Sequence, residues 1–313
     1  MKKLNILVIG GTGFIGRTLS KALLDAGHSV AVLSRRPALD SSMTNDVAFF
    51  QADVTLSGQW QELIPDFDIV ISLVGVSIFR RWTAKGKQEI IDSRVVATRN
   101  IVDALRMRRG KVHHFFSVSG VGYYGFHGDE ILDEDNPTGS DFLARLAAQW
   151  EEEAEGVKEL GIRPVICRLG HVLGRHGGVM PKLVSLANLH LASHWGSGDQ
   201  WISWIHEDDL ARAILFLMEN PAIIGPVNVT APNPVRNREM MQLLAEITHK
   251  RVLVPPIPEI MLRLMTGEFA SVFVNGQRVL PRRLIDSGFS FKYPTITDAY
   301  YHLLTPEKHT GTG

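Results

Sequence analysis

The chain opens with a short apolar run, Ile6-Leu7-Val8-Ile9, that passes straight into Gly10-Gly11-Thr12-Gly13-Phe14-Ile15-Gly16. Few local sequences restrict a fold so tightly. An apolar run of this length bounded by glycine reads as a buried strand, and residues 17–25, ending at Gly27, have the spacing of an amphipathic helix. Gly10 permits a sharp turn out of the strand, Gly13 leaves the backbone bare, and Gly16 lets the helix lie close to the sheet. Such a turn aims free N–H groups and the positive end of a helix dipole at one place, which suits a pyrophosphate.

Apolar strands and helical stretches then alternate. Residues 28–33, 47–51, 68–74, 112–117 and 163–168 read as strands, with helices over 83–108 and 141–160. The alternation predicts an α/β fold, a Rossmann-type doubly wound parallel sheet over residues 1–174, to which 206–230 returns as a helix and a strand. After Gly174, glycine, proline and aromatic punctuation predicts a smaller mixed α/β lobe on the substrate side, built from 175–205 and 231–305, and 306–313 reads as a flexible tail. The run Trp150-Glu151-Glu152-Glu153-Ala154-Glu155 reads as a solvated helix face.

Charge narrows the partners. The 313 residues carry 33 acidic and 33 basic side chains, so nothing attracts the chain to nucleic acid or to an anionic membrane. No stretch approaches the roughly 20 apolar residues of a membrane span, and the N-terminus lacks the apolar core of a signal peptide. These features predict a cytoplasmic protein that takes a small-molecule substrate, with a homodimer left open. Cys167, the single cysteine, lies in an apolar run and reads as a buried strand residue in a reducing compartment.

The second strand ends in Ser34-Arg35-Arg36. A dinucleotide site places there an acid for a ribose 2′-hydroxyl or a base for a 2′-phosphate. Two guanidiniums and no acid predict NADP(H) over NAD(H), the competing reading being ordinary surface charge. The predicted cofactor set is Gly10, Thr12, Gly13, Phe14, Ile15, Gly16, Ser34, Arg35 and Arg36. Asp53 and Val54 are predicted toward the adenine, and Leu73 and Gly75 on the ribose side.

Beyond the turn, Arg81-Trp82-Thr83, Ser93-Arg94, Gly122-Tyr123-Tyr124-Gly125, Trp150-Glu151, Gly196-Ser197-Gly198, Trp204-Ile205-His206-Glu207-Asp208-Asp209 and Gly276-Gln277-Arg278-Val279-Leu280-Pro281 follow in order. Over nearly its whole length the chain resembles the extended short-chain dehydrogenase/reductase superfamily, the nucleotide-sugar epimerase and dehydratase relatives. It is most similar to the atypical YfcH-like group, labelled "epimerase family protein", some of whose members are called SulA-type cell-division inhibitors. The resemblance implies a C-terminal module of unknown function, places Ser119 where the superfamily has its catalytic serine, and sets Arg145 and Arg168 on the cofactor side. It also exposes a gap. The superfamily pairs a tyrosine with a lysine four residues on, yet none of the five tyrosines here is followed so. Arg145 occupies the lysine place, and Asp141 or Phe142 stands where the tyrosine belongs.

An unassisted phenol titrates near 10, so its phenolate lies about 4 kcal/mol uphill at neutral pH. Such a group donates a proton more readily than it takes one. Tyr123 and Tyr124, with Ser119, are therefore candidate donors for carbonyl reduction, while Ser119 could instead bond local backbone. His206 could replace the missing base, although the acids beside it read as a helix cap and first turn. His190 and His194 lack a third ligand, and no metal is expected. Arg81, Trp82, Gln200 and Trp201 are candidate substrate contacts, with core packing the alternative for the aromatics; Arg278, Arg282 and Arg283 read more simply as basic surface. Two function classes remain: an NADPH-dependent reductase or sugar-type epimerase on a small polar substrate, or a non-catalytic NADP(H)-responsive regulator, for which a cell-division role rests on the family label alone.

Overall fold

The computed structural model describes residues 2–36, 47–107 and 112–305; the tail expected at 306–313 lies outside them. Seven parallel strands form the central sheet: β1 (Asn5–Ile9), β2 (Ser29–Ser34), β3 (Val47–Gln51), β4 (Ile69–Ser72), β5 (His114–Gly120), β6 (Arg163–Leu169) and β7 (Gly225–Val229). Their order is β7-β6-β5-β4-β1-β2-β3, so the chain reverses direction across the sheet between β1 and β4. A ligand crevice opens at such a reversal, beyond the strands' carboxyl ends.

The strands are apolar at nearly every position because both faces are covered. Ile6 and Val8 point to one face, with Leu19 and Leu23 of helix α1 (Phe14–Asp25). Leu7 and Ile9 point to the other, with Ile101 and Leu105. Cys167 is fully buried on β6, where burial pushes its thiol up to about 12.

The long helix expected over 83–108 is interrupted. Helix α2 (Ala84–Ile91) passes into one π turn at Asp92–Val96 before α3 (Ala97–Arg106) resumes. Ser93 donates its hydroxyl to the Ile90 carbonyl, and Arg94 turns inward. Helix α4 (Phe142–Glu155) precedes β6; its N-cap is Asp141, whose Oδ1 accepts from Leu143 and Ala144.

Beyond Gly174 a second core gathers Met180 and Leu183 of α5 (Met180–Asn188), Trp204, Met240, Met241, Tyr300 and Leu303. Helix α6 (Glu207–Glu219) instead returns to the sheet through Leu210, Ile214 and Leu217. Leu284 and Phe289, far along the chain, join that same sheet core, with Phe289 edge-on to Phe216 at 5.3 Å. The C-terminal segment therefore packs on both cores.

Candidate functional site

At the nucleotide end, Gly10 turns the chain at φ +84°, a conformation glycine adopts without strain. Its carbonyl accepts from Gly13 N at 3.1 Å, closing the turn. A Cβ on Gly16 would lie 2.5 Å from Gly11 Cα, so the helix is seated against the turn itself. Helix α1 has no side-chain cap and no acid in its first turn. Its first N–H groups, at Phe14, Ile15 and Gly16, are thus left for an anion. Thr12 and Ser34 join hydroxyls at 2.6 Å across the β1–β2 tips. Arg35 lies 3.8 Å from Asp53, whose Oδ1 holds Thr55; Arg35 and Arg36 are exposed. Leu73 borders the turn, its carbonyl 3.2 Å from where a Gly10 Cβ would be, while Val54 is buried in the sheet's second core cluster.

At the other end of the crevice, polar groups meet in the interior. Ser119, near the end of β5, donates its hydroxyl to Glu151 Oε1 at 2.7 Å. Arg168 of β6 grips the same carboxylate through Nε at 2.9 Å and NH2 at 2.8 Å. Its NH1 donates to the Tyr124 hydroxyl at 2.9 Å, which donates in turn to Asn228 Oδ1 at 2.7 Å. The guanidinium also lies 3.4 Å from the ring centroid of half-buried Tyr123. Burial alone would drag Arg168 down, but the Glu151 carboxylate outweighs it and holds the arginine more firmly protonated than usual.

This network corrects several expectations. Arg168 does not reach for a cofactor, because its donors serve Glu151 and Tyr124 within the protein. Tyr124 is fully buried with its hydroxyl committed at both ends, and burial raises it to about 12, so it is no proton donor to substrate. Arg145 stands exposed on α4, its guanidinium on the Ser140 carbonyl, outside the network. Glu151, read as part of a solvated run, is 7% exposed. Its position was legible after all: Ala144, Ala147, Trp150, Glu151 and Ala154 form one helical stripe, so the acid faces inward.

The substrate-side residues also separate. Trp82 is packed against Phe142 at 4.9 Å and Phe269 at 5.4 Å, with its indole N–H on the Ile78 carbonyl, and is core. Gln200 is buried and donates to the carbonyls of Trp195 and Phe273. Trp201 donates to Asp129 and is flanked by Arg236 and Arg278 at 4.1 and 4.5 Å. Arg81 remains exposed on the loop after β4.

His206 does not join Ser119 and Tyr123. It is wholly buried, its Nδ1 accepting from Asp208 N as the cap of α6 and its Nε2 meeting His302 Nδ1 at 3.0 Å, with the Tyr293 ring 3.9 Å away. The cap is thus the histidine and not an acid; Glu207 instead binds Thr18 and Arg175 N, and Asp209 takes the backbone of Lys292 and Tyr293. His206, Asp208 and His302 bring ligand-type atoms within 4.8 Å, yet Lys292 lies 3.6 Å from the Asp208 carboxylate, and the two imidazoles already bond each other.

Burial, against the pull of Asp208 and helped by His302, Lys292 and Arg175, pushes His206 down to about 4 from an ordinary 6.5. The unfolded chain then binds the proton the folded chain refuses, so stability present at neutral pH is lost as pH falls from 6.5 toward 4. His206→Asn keeps a cap acceptor and removes that proton. In urea unfolding across this window the wild type should lose about 2 kcal/mol more than the variant. Parallel slopes for the two proteins would contradict the assignment.

A model of the NAD dependent epimerase/dehydratase family matches residues 6–229, and a domain of unknown function, DUF1731, matches 257–303. Epimerase family protein YfhF of Bacillus subtilis is 38% identical over 306 residues, covering 97% of this chain and 99% of its own. The crystal structure of human epimerase family protein SDR39U1, isoform 2, with NADPH superposes with a TM-score of 0.83 at 30% identity, covering 96% and 98% of the two chains. Thermus thermophilus UDP-glucose 4-epimerase, solved with NAD, shares the fold with a TM-score of 0.79 at 21% identity, covering 96% and 99%. Among the described residues, no helix is long and apolar enough to cross a membrane.

Proposed function

The chain belongs to the NAD dependent epimerase/dehydratase family, and from that premise we propose that it binds NADP(H) and reduces the carbonyl of a small substrate. The observation that carries the cofactor reading is the uncapped α1 N-terminus set beside the exposed Arg35 and Arg36. The N-terminus would hold the pyrophosphate, and the two guanidiniums the 2′-phosphate. The NADPH in the human SDR39U1 structure supports the same choice.

Bound NADPH would supply the hydride. The protein's part is to give the developing oxyanion a hydrogen bond and a proton. Tyr123 is the candidate donor, half-buried, with the Arg168 guanidinium against its ring. Ser119, expected as a second donor, gives its one O–H to Glu151 and is left with only acceptor capacity. A second reading, cofactor binding without turnover, draws support from Phe142, which packs on Trp82 in the region where the superfamily carries its tyrosine.

Fluorescence titration with NADPH and NADH, then NADPH oxidation against a panel of carbonyl compounds, separates these readings. Replacing both Arg35 and Arg36 by serine should weaken NADPH about 100-fold and leave NADH nearly unchanged. Equal weakening of the two cofactors would rule out a 2′-phosphate site. Where turnover is found, Tyr123→Phe should lower kcat about 100-fold or more while the cofactor still binds. Tight NADPH binding with no oxidation across the panel would favour the regulator.

A further inference from the structure

Arg94 lies at the centre of the π turn, the interruption that turns its side chain inward beneath the loop after β4. Such single π turns often accompany functional residues. Its NH2 donates to the Val76 carbonyl at 2.9 Å; its NH1 reaches the Ile90 carbonyl and the Ser93 hydroxyl, each at 3.2 Å. The Trp150 ring lies 5.3 Å away. Every partner is neutral, and among the described residues Arg94 forms no ion pair. Burial, with no compensating acid, brings it down to about 10, so it is still charged at neutral pH.

The contrast with Arg168 is informative. Arg94 packs on Trp150 and Arg168 binds Glu151, adjacent residues of α4, yet one arginine has a dedicated carboxylate and the other has none. A half-buried cation without a counter-charge is costly, and the cost falls when an anion completes it. Gly75 marks the way in: a Cβ there would come within 3.0 Å of Arg94 Cζ and NH2, so any other residue would cover the guanidinium. The glycine leaves that surface bare on the ribose side of the predicted cofactor path.

We propose that Arg94 is an anion receptor, holding through the opening at Gly75 an oxyanionic group, either a carboxylate of the substrate or a phosphate of the cofactor. This rests on the cofactor reading above. If the group is a substrate carboxylate, the substrates are oxo acids and not neutral sugars or aldehydes.

The test compares wild type, Arg94→Gln and Arg94→Lys. Each is titrated with NADPH, then its NADPH complex with pyruvate and with the neutral pyruvamide, and each is checked by thermal unfolding. With a carboxylate ligand, wild type prefers pyruvate over its amide at least about 10-fold, Arg94→Gln loses that preference with NADPH affinity intact, and Arg94→Lys recovers part of it. With a cofactor phosphate, Arg94→Gln weakens NADPH by a similar factor and Arg94→Lys restores it in part. The proposal is overturned if Arg94→Gln alters neither affinity, or if all ligands weaken together with the melting temperature and lysine does not rescue. Should wild type bind no nicotinamide cofactor, the cofactor reading fails, and the pyruvate and pyruvamide arm on the bare protein still decides Arg94.

Discussion

Arg168→Met should cost about 3–5 kcal/mol of folding stability, a large share of the roughly 5–15 kcal/mol typical of such a domain. The change strands the Glu151 carboxylate, 7% exposed, beside Ser119 with no cation to balance it. It also removes a donor from the Tyr124 hydroxyl. Pairing it with Glu151→Met should recover most of the loss, because an ion pair replaced by apolar groups of similar size is often close to neutral. A double-mutant cycle in urea would show coupling well above 1 kcal/mol. Single variants that each unfold within about 1 kcal/mol of wild type would mean that the buried pair does not hold α4 to β6.

Gly16→Ala should lower NADPH affinity at least about 100-fold. The added methyl would sit 2.5 Å from Gly11 Cα and 2.6 Å from its carbonyl carbon, atoms of the main chain that cannot rotate aside. Helix α1 must then move off the turn and carry its N–H groups away from the pyrophosphate. Gly13→Ala makes a sharper comparison, since its nearest neighbour would be Gly10 O at 3.4 Å, an ordinary contact. That variant should fold almost as well as wild type and yet bind cofactor poorly, because only the ligand would meet the new methyl. Unchanged NADPH binding in Gly13→Ala would sink the placement of the pyrophosphate over this turn.

The turn, the strands and their parallel arrangement were readable because each rests on local pattern: short apolar runs, glycine at the strand exit, helical spacing between. The site was readable only in part. Ser119 and Tyr123 were named from the resemblance and from the tyrosines near the end of β5, but the partner of Ser119 sits in a run of acids, where outward members such as Glu152 draw the eye away from the inward stripe that carries Glu151. Arg168 misled for the converse reason, since a basic residue at a strand end resembles a phosphate ligand until its carboxylate, 17 residues away in sequence, is seen. His206 carried the right kind of group for catalysis, and only three dimensions show it sealed between Tyr293 and His302. The interruption at Asp92–Val96 left no mark that distinguishes it from a continuous helix.

Leu284 and Phe289 give the fold an order in time. The ribosome delivers all seven strands by Val229, yet the face of the sheet covered by α6 still lacks these two side chains. A nascent chain at that stage would expose apolar surface on a nearly finished sheet until the segment carrying Leu284 and Phe289 had emerged and docked. The segment that carries them is thus less an appendage than the step that completes the cover of the sheet.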